Sequence, residues 1–344
     1  MMDPLLDFLS TFAAQFQKPT LAFLLGGMLI AALGSKLDVP DAIYRFIIFM
    51  LLMKVGIGAG MEIREADLAD LLAPALISIV VGVVIVLTGS ATLARLPGVQ
   101  REDGIATAGL FGAVSASTLA AAMVLMEEEA IAFEAWVPAL YPFMDIPALV
   151  IAIVLANLYL QRKRANQPDG EGGTNGGRVR VWPIVAESLR GSALSALLLG
   201  LALGLLTQPD RVFDTFYDPL FRGLLSVLML IMGMEAWSRL MELRRVAHWY
   251  AVYALVAPPI HGLIAFALGY VAHVTTGFSP GGVILLAVIA ASSSDISGPP
   301  TLRAGIPSAN PSAFIGSSTA VGTPIAIAVC IPLFLALGQL VFGL

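Results

Sequence analysis

Residues 290–300 read Ala290-Ala291-Ser292-Ser293-Ser294-Asp295-Ile296-Ser297-Gly298-Pro299-Pro300, in the middle of an apolar window that covers 280–303. A window of about 20 apolar residues is the length that crosses the hydrocarbon of a bilayer as a helix. Pro299 and Pro300 fit an extended segment or a first helical turn but not a helix interior, because proline lacks the N–H and clashes with the preceding turn. The span must therefore break just before them. A broken backbone inside a membrane is tolerated only where protein or a water-filled cavity satisfies the freed N–H and C=O groups. A second cluster of the same kind, Gly112-Ala113-Val114-Ser115-Ala116-Ser117-Thr118, lies within the apolar window 103–126.

The whole chain agrees with a lipid surrounding. Of 344 residues, 58% are hydrophobic before glycine is counted and 12% are charged, and the mean hydropathy is +0.87. Soluble domains carry about a quarter of their residues charged, so a disordered, fibrous or disulfide-stapled protein is excluded. Cys330 is the single cysteine and cannot form an intramolecular bridge. Apolar windows give ten spans, at 12–34, 41–61, 69–94, 103–126, 134–160, 184–207, 212–237, 247–272, 280–303 and 311–342, of which the fourth, fifth, ninth and tenth read as interrupted. The first turns hold Asp3 and Asp7 with no basic residue, so the N-terminus does not read as a cleavable signal.

Between the fifth and sixth spans runs a polar, glycine-rich linker, 162–183, which divides a first five-helix repeat (1–161) from a second (184–344). Loops on the linker's side hold Lys36, Arg45, Arg95, Arg101, Arg190, Arg239, Arg244, Arg245 and Arg303, besides the linker's own Arg162, Lys163, Arg164, Arg178 and Arg180. The opposite loops hold Lys18, Arg64 and Arg211 among acidic clusters, including Glu127-Glu128-Glu129, which reads as a solvated loop. The positive-inside rule puts the linker in the cytoplasm and both termini outside, in a plasma (inner) membrane protein.

Five spans per half means that the second half enters the membrane inverted. Weak matches between the halves fit an inverted repeat: Gly60-Met61-Glu62 with Gly233-Met234-Glu235, the two hydroxyl clusters, and Asp145-Ile146-Pro147 with Gly322-Thr323-Pro324. The fold expected is an all-α membrane protein of ten transmembrane helices in two inverted five-helix repeats, with broken helices four and nine crossing near the midplane.

Half-helix N-termini carry about +0.5 of a charge and unpaired N–H groups, which suits a small anion. Unwound carbonyls, hydroxyls and a carboxylate suit a hard cation such as sodium. Asp145 and Asp295 are the carboxylates available; each is also suited to capping a half-helix. Lys54 reads as reaching past Gly56, Gly58 and Gly60 toward the acidic loop, and Gly200 and Gly204 invite close helix packing. His248, His261 and His273 have no metal-ligand spacing, and there is no phosphate-binding glycine loop or Ser/His/Asp order. An enzyme, an ATP-driven pump and a nucleic-acid-binding protein are therefore not expected.

Phe111-Gly112-Ala113-Val114-Ser115-Ala116-Ser117-Thr118, Tyr141-Pro142-Phe143-Met144-Asp145-Ile146-Pro147, and the run from Ser292 through Pro300 to Asn310-Pro311-Ser312 together resemble the cyanobacterial sodium-dependent bicarbonate transporter family, SbtA. The likeness extends over essentially the whole chain, with a linker that is short and glycine-rich beside longer, more charged versions. It implies a fold related to bile-acid symporters and sodium/proton antiporters, with a gate domain of spans 1, 2, 6 and 7 and a core domain of spans 3–5 and 8–10. It also implies a homotrimer, inhibition by the PII-like protein SbtB on the cytoplasmic face, and a role in the carbon-concentrating mechanism. On this reading bicarbonate is held by Ser115, Ser117, Thr118, Ser292, Ser293 and Ser294. Sodium, the coupling ion, is held by Asp145, Asp295, Thr323 and Ser297, with no further cofactor. The competing readings are a sodium symporter of another small anion, a sodium/proton antiporter on the same fold, and a membrane receptor that recruits a soluble partner.

Overall fold

The computed structural model describes residues 17–65, 68–165, 181–243, 248–296 and 298–344. Most of the linker, the first sixteen residues and Ser297 therefore lie outside the described residues. Every regular element among the described residues is helical. In chain order they are α1 (Pro19–Ala32), α2 (Asp41–Glu65), α3 (Leu68–Thr92), α4 (Arg101–Gly112), α5 (Ala116–Glu128), α6 (Tyr141–Ala165), α7 (Val181–Arg190), α8 (Ser192–Leu206), α9 (Asp218–Leu243), α10 (His248–Thr276), α11 (Pro280–Ala291), α12 (Gly298–Gly305) and the helical run α13 (Pro311–Phe342). Seven helical stretches are long and apolar enough to cross a membrane, and three shorter apolar helices, α1, α8 and α11, lie among them.

Glycine decides how the first of these pack. In α2, Gly56 and Gly60 face Gly200 and Gly204 of α8; a Cβ on Gly204 would stand 2.9 Å from the Cα of Gly60, and one on Gly56 would stand 3.0 Å from the Cα of Gly200. The pairing expected of Gly200 and Gly204 is thus made within the chain, backbone against backbone. The pair α1 and α9 crosses in the same manner, where a Cβ on Gly233 would meet Met28 N at 2.9 Å and one on Gly27 would meet Met234 N at 3.1 Å. Elsewhere α3 packs on α4 and α6, and α10 packs on α11.

The interruptions differ from the sequence expectation in two of four spans. The fourth breaks between Gly112 and Ala116, and the ninth stops at Ala291 and resumes at Gly298. The fifth and tenth stay helical. In α6, Pro147 sits inside a helix that continues to Ala165. In α13, π turns at Ser318–Gly322 and Ala326–Cys330 come before Pro324 and Pro332. A wider turn re-pairs the carbonyl that a proline leaves without a donor, so the rod bends rather than breaks.

Candidate functional site

The two chain breaks meet. Ser115, the residue before α5, caps that helix by accepting from Thr118 N at 3.2 Å, as a hydroxyl at an N-cap does. Its own N–H donates to Ser292 Oγ at 2.9 Å, and Ser292 Oγ donates to the Ile289 carbonyl at 2.7 Å. From the other break, Ser294 N donates to the Leu110 carbonyl at 2.9 Å, in the last turn of α4. Ser294 Oγ accepts from Gly298 N at 2.8 Å and so starts α12. Each break thus satisfies backbone groups that the other leaves open, which is what buried irregular chain requires.

Carboxylates flank this junction. Asp145 of α6 is fully buried, and its Oδ1 accepts from Val114 N at 3.0 Å. Asp295 Oδ2 accepts from Ser117 Oγ at 2.8 Å and from Ser115 Oγ at 3.3 Å. The two serine hydroxyls stand 2.9 Å apart. Ser117 has one proton, which goes to Asp295, so the proton of Ser115 is shared between Ser117 and the carboxylate. Among the described residues, Asp145 Oδ2, Asp295 Oδ1, Thr118 Oγ1 and Thr323 Oγ1 are buried without a hydrogen-bond partner. These four oxygens are lone-pair donors of the hard type that sodium takes.

Of the sequence-derived candidates, Ser115, Ser117, Ser292 and Asp295 are joined directly by hydrogen bonds, and Thr118 and Asp145 reach the same segment through backbone amides. Ser293 and Ser294 join through Ser318 of α13, whose hydroxyl lies 3.0 Å from Ser293 Oγ and donates to the Ser294 carbonyl at 3.1 Å. Thr323 follows Gly322, where a Cβ would come within 2.8 Å of Ser293 Oγ. Ser318 was missed from sequence, although the run Ser317-Ser318-Thr319 inside an apolar span was signal enough.

A cavity of about 550 Å³ joins this junction to one end of the bundle, lined by Asp41, Tyr44, Arg45, Ser192, Asp295 and Pro300. Its mouth residues Asp41, Arg45 and Ser192 are exposed and lie at the helix ends nearest the linker. The opposite end is tied by ion pairs. Lys54 Nζ stands 3.2 Å from Asp218 Oδ1 and 3.8 Å from Glu127 Oε1, over the ring of Phe221 at 4.3 Å. Arg222 reaches Glu127 at 3.4 Å, and Lys18 reaches Glu129 at 3.1 Å. The acidic run 127–129 is accordingly no merely solvated loop; it collects Lys18 and Arg222 from two helix ends and Lys54 from the middle of α2.

A profile of the Na+-dependent bicarbonate transporter superfamily matches residues 19–339. The chain belongs to the Na+-dependent bicarbonate transporter superfamily. It is a multi-pass membrane transporter, not an enzyme. Sodium dependence in the Na+-dependent bicarbonate transporter superfamily accords with the open oxygens of Asp145, Asp295, Thr118 and Thr323, which are the hard donors found at the junction among the described residues. No individual curated protein matches the sequence.

Proposed function

We propose that this protein carries bicarbonate into the cell with sodium, by alternating access around the junction of the two broken spans. The observation that carries the reading is the contact of Ser115 and Ser117 with Asp295, beside the bond of Ser115 N to Ser292, because a carboxylate held by two hydroxyls exceeds what closing the two chain breaks requires. An ionised carboxylate within a membrane costs about 2.5–3.5 kcal/mol on insertion scales. Sodium on the open oxygens of Asp145, Asp295 and Thr323, with Ser297 as a further ligand, offsets that cost.

The same contact suggests how the two ions are coupled. The hydroxyls of Ser115 and Ser117 now serve Asp295. Sodium drawing on that carboxylate frees them, with Thr118 and Ser292 to Ser294 and the amides at the N-terminus of α5, to hold bicarbonate. Neither ion binds well without the other. Bicarbonate entering a cell that is negative inside climbs about 2.3 kcal/mol per 100 mV, and one accompanying sodium cancels this.

In this reading the bundle has a gate domain (α1, α2, α8, α9) and a core domain (α3–α6, α10–α13), built from two inverted repeats of five spans with the linker in the cytoplasm. The cavity from the linker end to Asp295, with ion pairs across the opposite end, fits a state open to the cytoplasm. A homotrimer, a PII-like partner on the basic cytoplasmic face and a role in inorganic-carbon concentration complete the proposal by family resemblance.

The test is labelled bicarbonate uptake into proteoliposomes of the purified protein under an inward sodium gradient, against an equal potassium gradient at clamped potential. Uptake confined to the sodium arm is expected. Equal flux with both cations, or proton movement in the absence of bicarbonate, would replace symport by a uniporter or an antiporter.

A further inference from the structure

A second cavity, of about 660 Å³, lies at the linker end of the bundle between α3, α4 and α6, and it shares no residue with the serine and aspartate junction. Its walls divide by chemistry. Leu87, Leu155 and Leu158 line one part, and Leu87 and Leu158 are 47% and 43% exposed. Arg95, Arg101, Arg162 and Lys163 line the other, and no carboxylate does. Lys163 Nζ is 3.4 Å from Glu102 Oε1, and the Arg101 guanidinium stands 5.1 Å from the ring centre of Tyr159. Among the described residues, Arg95 and Arg162 have no ion pair. Ser90 also lines the cavity, and its buried hydroxyl has no hydrogen-bond partner among the described residues.

We propose that this cavity holds the phosphate head group of an anionic phospholipid of the cytoplasmic leaflet, with the first part of an acyl chain along Leu87 and Leu158. Planar guanidinium groups bind phosphate oxygens in pairs, and a serine hydroxyl donates a further bond. Basic pockets between membrane helices on the cytoplasmic side suit such head groups, because that leaflet carries the anionic lipid. A small soluble anion meets the charge but gains nothing from the exposed leucines. A phospholipid satisfies both walls at once. The bound lipid bridges α4, which ends at the first chain break, and α6, which carries Asp145, so it steadies the helices that frame the junction. The site stands whatever the transported ion is.

The experiment uses the full chain in neutral detergent, with native mass spectrometry counting retained phosphatidylglycerol or phosphatidylcholine and thermal unfolding followed in parallel. Preferential retention of phosphatidylglycerol is expected. Arg95→Gln and Arg162→Gln should each weaken it about five-fold, the loss of one surface cation, and the double variant about twenty-five-fold. Leu158→Trp, which fills the apolar wall and keeps every cation, should also release the lipid, and it decides the matter if the arginine variants do not fold. Equal retention of the two lipids, or phosphatidylglycerol retention unchanged in the double variant or in Leu158→Trp, overturns the proposal. Inorganic phosphate or glycerol phosphate raising the unfolding temperature as much as the lipid does would make this a soluble-anion site and overturn it as well.

Discussion

Ser117 Oγ donates 2.8 Å to Asp295 Oδ2, joining the first turn of α5 to the broken segment ahead of α12 across 178 residues of sequence. The bond spans the two halves of the chain, so whatever binds one side of it is felt by the other.

Removing the carboxylate should therefore abolish coupling. In Asp295→Ala, sodium-driven bicarbonate uptake is expected at background while the protein still inserts and purifies. Full uptake in proteoliposomes of that variant would end the assignment.

Asp145 separates two roles that sequence could not. Asp145→Asn keeps a carbonyl oxygen to accept from Val114 N, so thermal stability should stay close to that of the native protein. Loss of the charge should remove the sodium dependence of uptake. Retained dependence would leave Asp145 as a cap alone.

Ser117→Ala removes the shorter of the two hydroxyl bonds to Asp295 and leaves the longer one from Ser115 at 3.3 Å. A lost bond to a charged group is worth about 1.5–3 kcal/mol. A lower unfolding temperature and a raised KM for bicarbonate are expected together, and calorimetry with uptake kinetics reads both.

The ion pairs at the far end should behave as a latch. Glu127→Gln weakens the contacts to Lys54 and Arg222, and partly exposed pairs contribute about 0.2–1 kcal/mol after solvent screening. Closure at that end should loosen by a few-fold at most. A reporter in Gly58→Cys, beside the cavity that Lys54, Glu127 and Phe213 line, should react faster with an impermeant maleimide when Glu127→Gln is added. Native Cys330 is fully buried and stays silent. An unchanged rate would show that these pairs do not hold the closed end.

Much of the junction was legible in the sequence because membrane chemistry is restrictive. Hydroxyl clusters and a Gly-Pro-Pro run inside apolar windows read as breaks, and the breaks fall at 113–115 and after Ala291. The fifth and tenth spans misled for the same reason. Pro147 and Pro324 look alike in sequence, yet the π turn before Pro324 absorbs its missing donor locally. Glu127 was misread because its partners Lys54 and Arg222 come from distant helices, and no local pattern announces a tertiary ion pair. Ser318 was overlooked because its role depends on where α13 crosses the second break.

Where α2 crosses α8, the glycines at 56, 60, 200 and 204 leave no volume between the backbones. No ligand need ever touch those four positions, and yet none of them can drift. Even alanine would place its methyl inside the neighbouring main chain, so each lineage of this protein is expected to keep glycine there as strictly as it keeps Asp295. A comparison of related sequences would then mark both sets as invariant, one for what it holds and the other for the space it leaves empty.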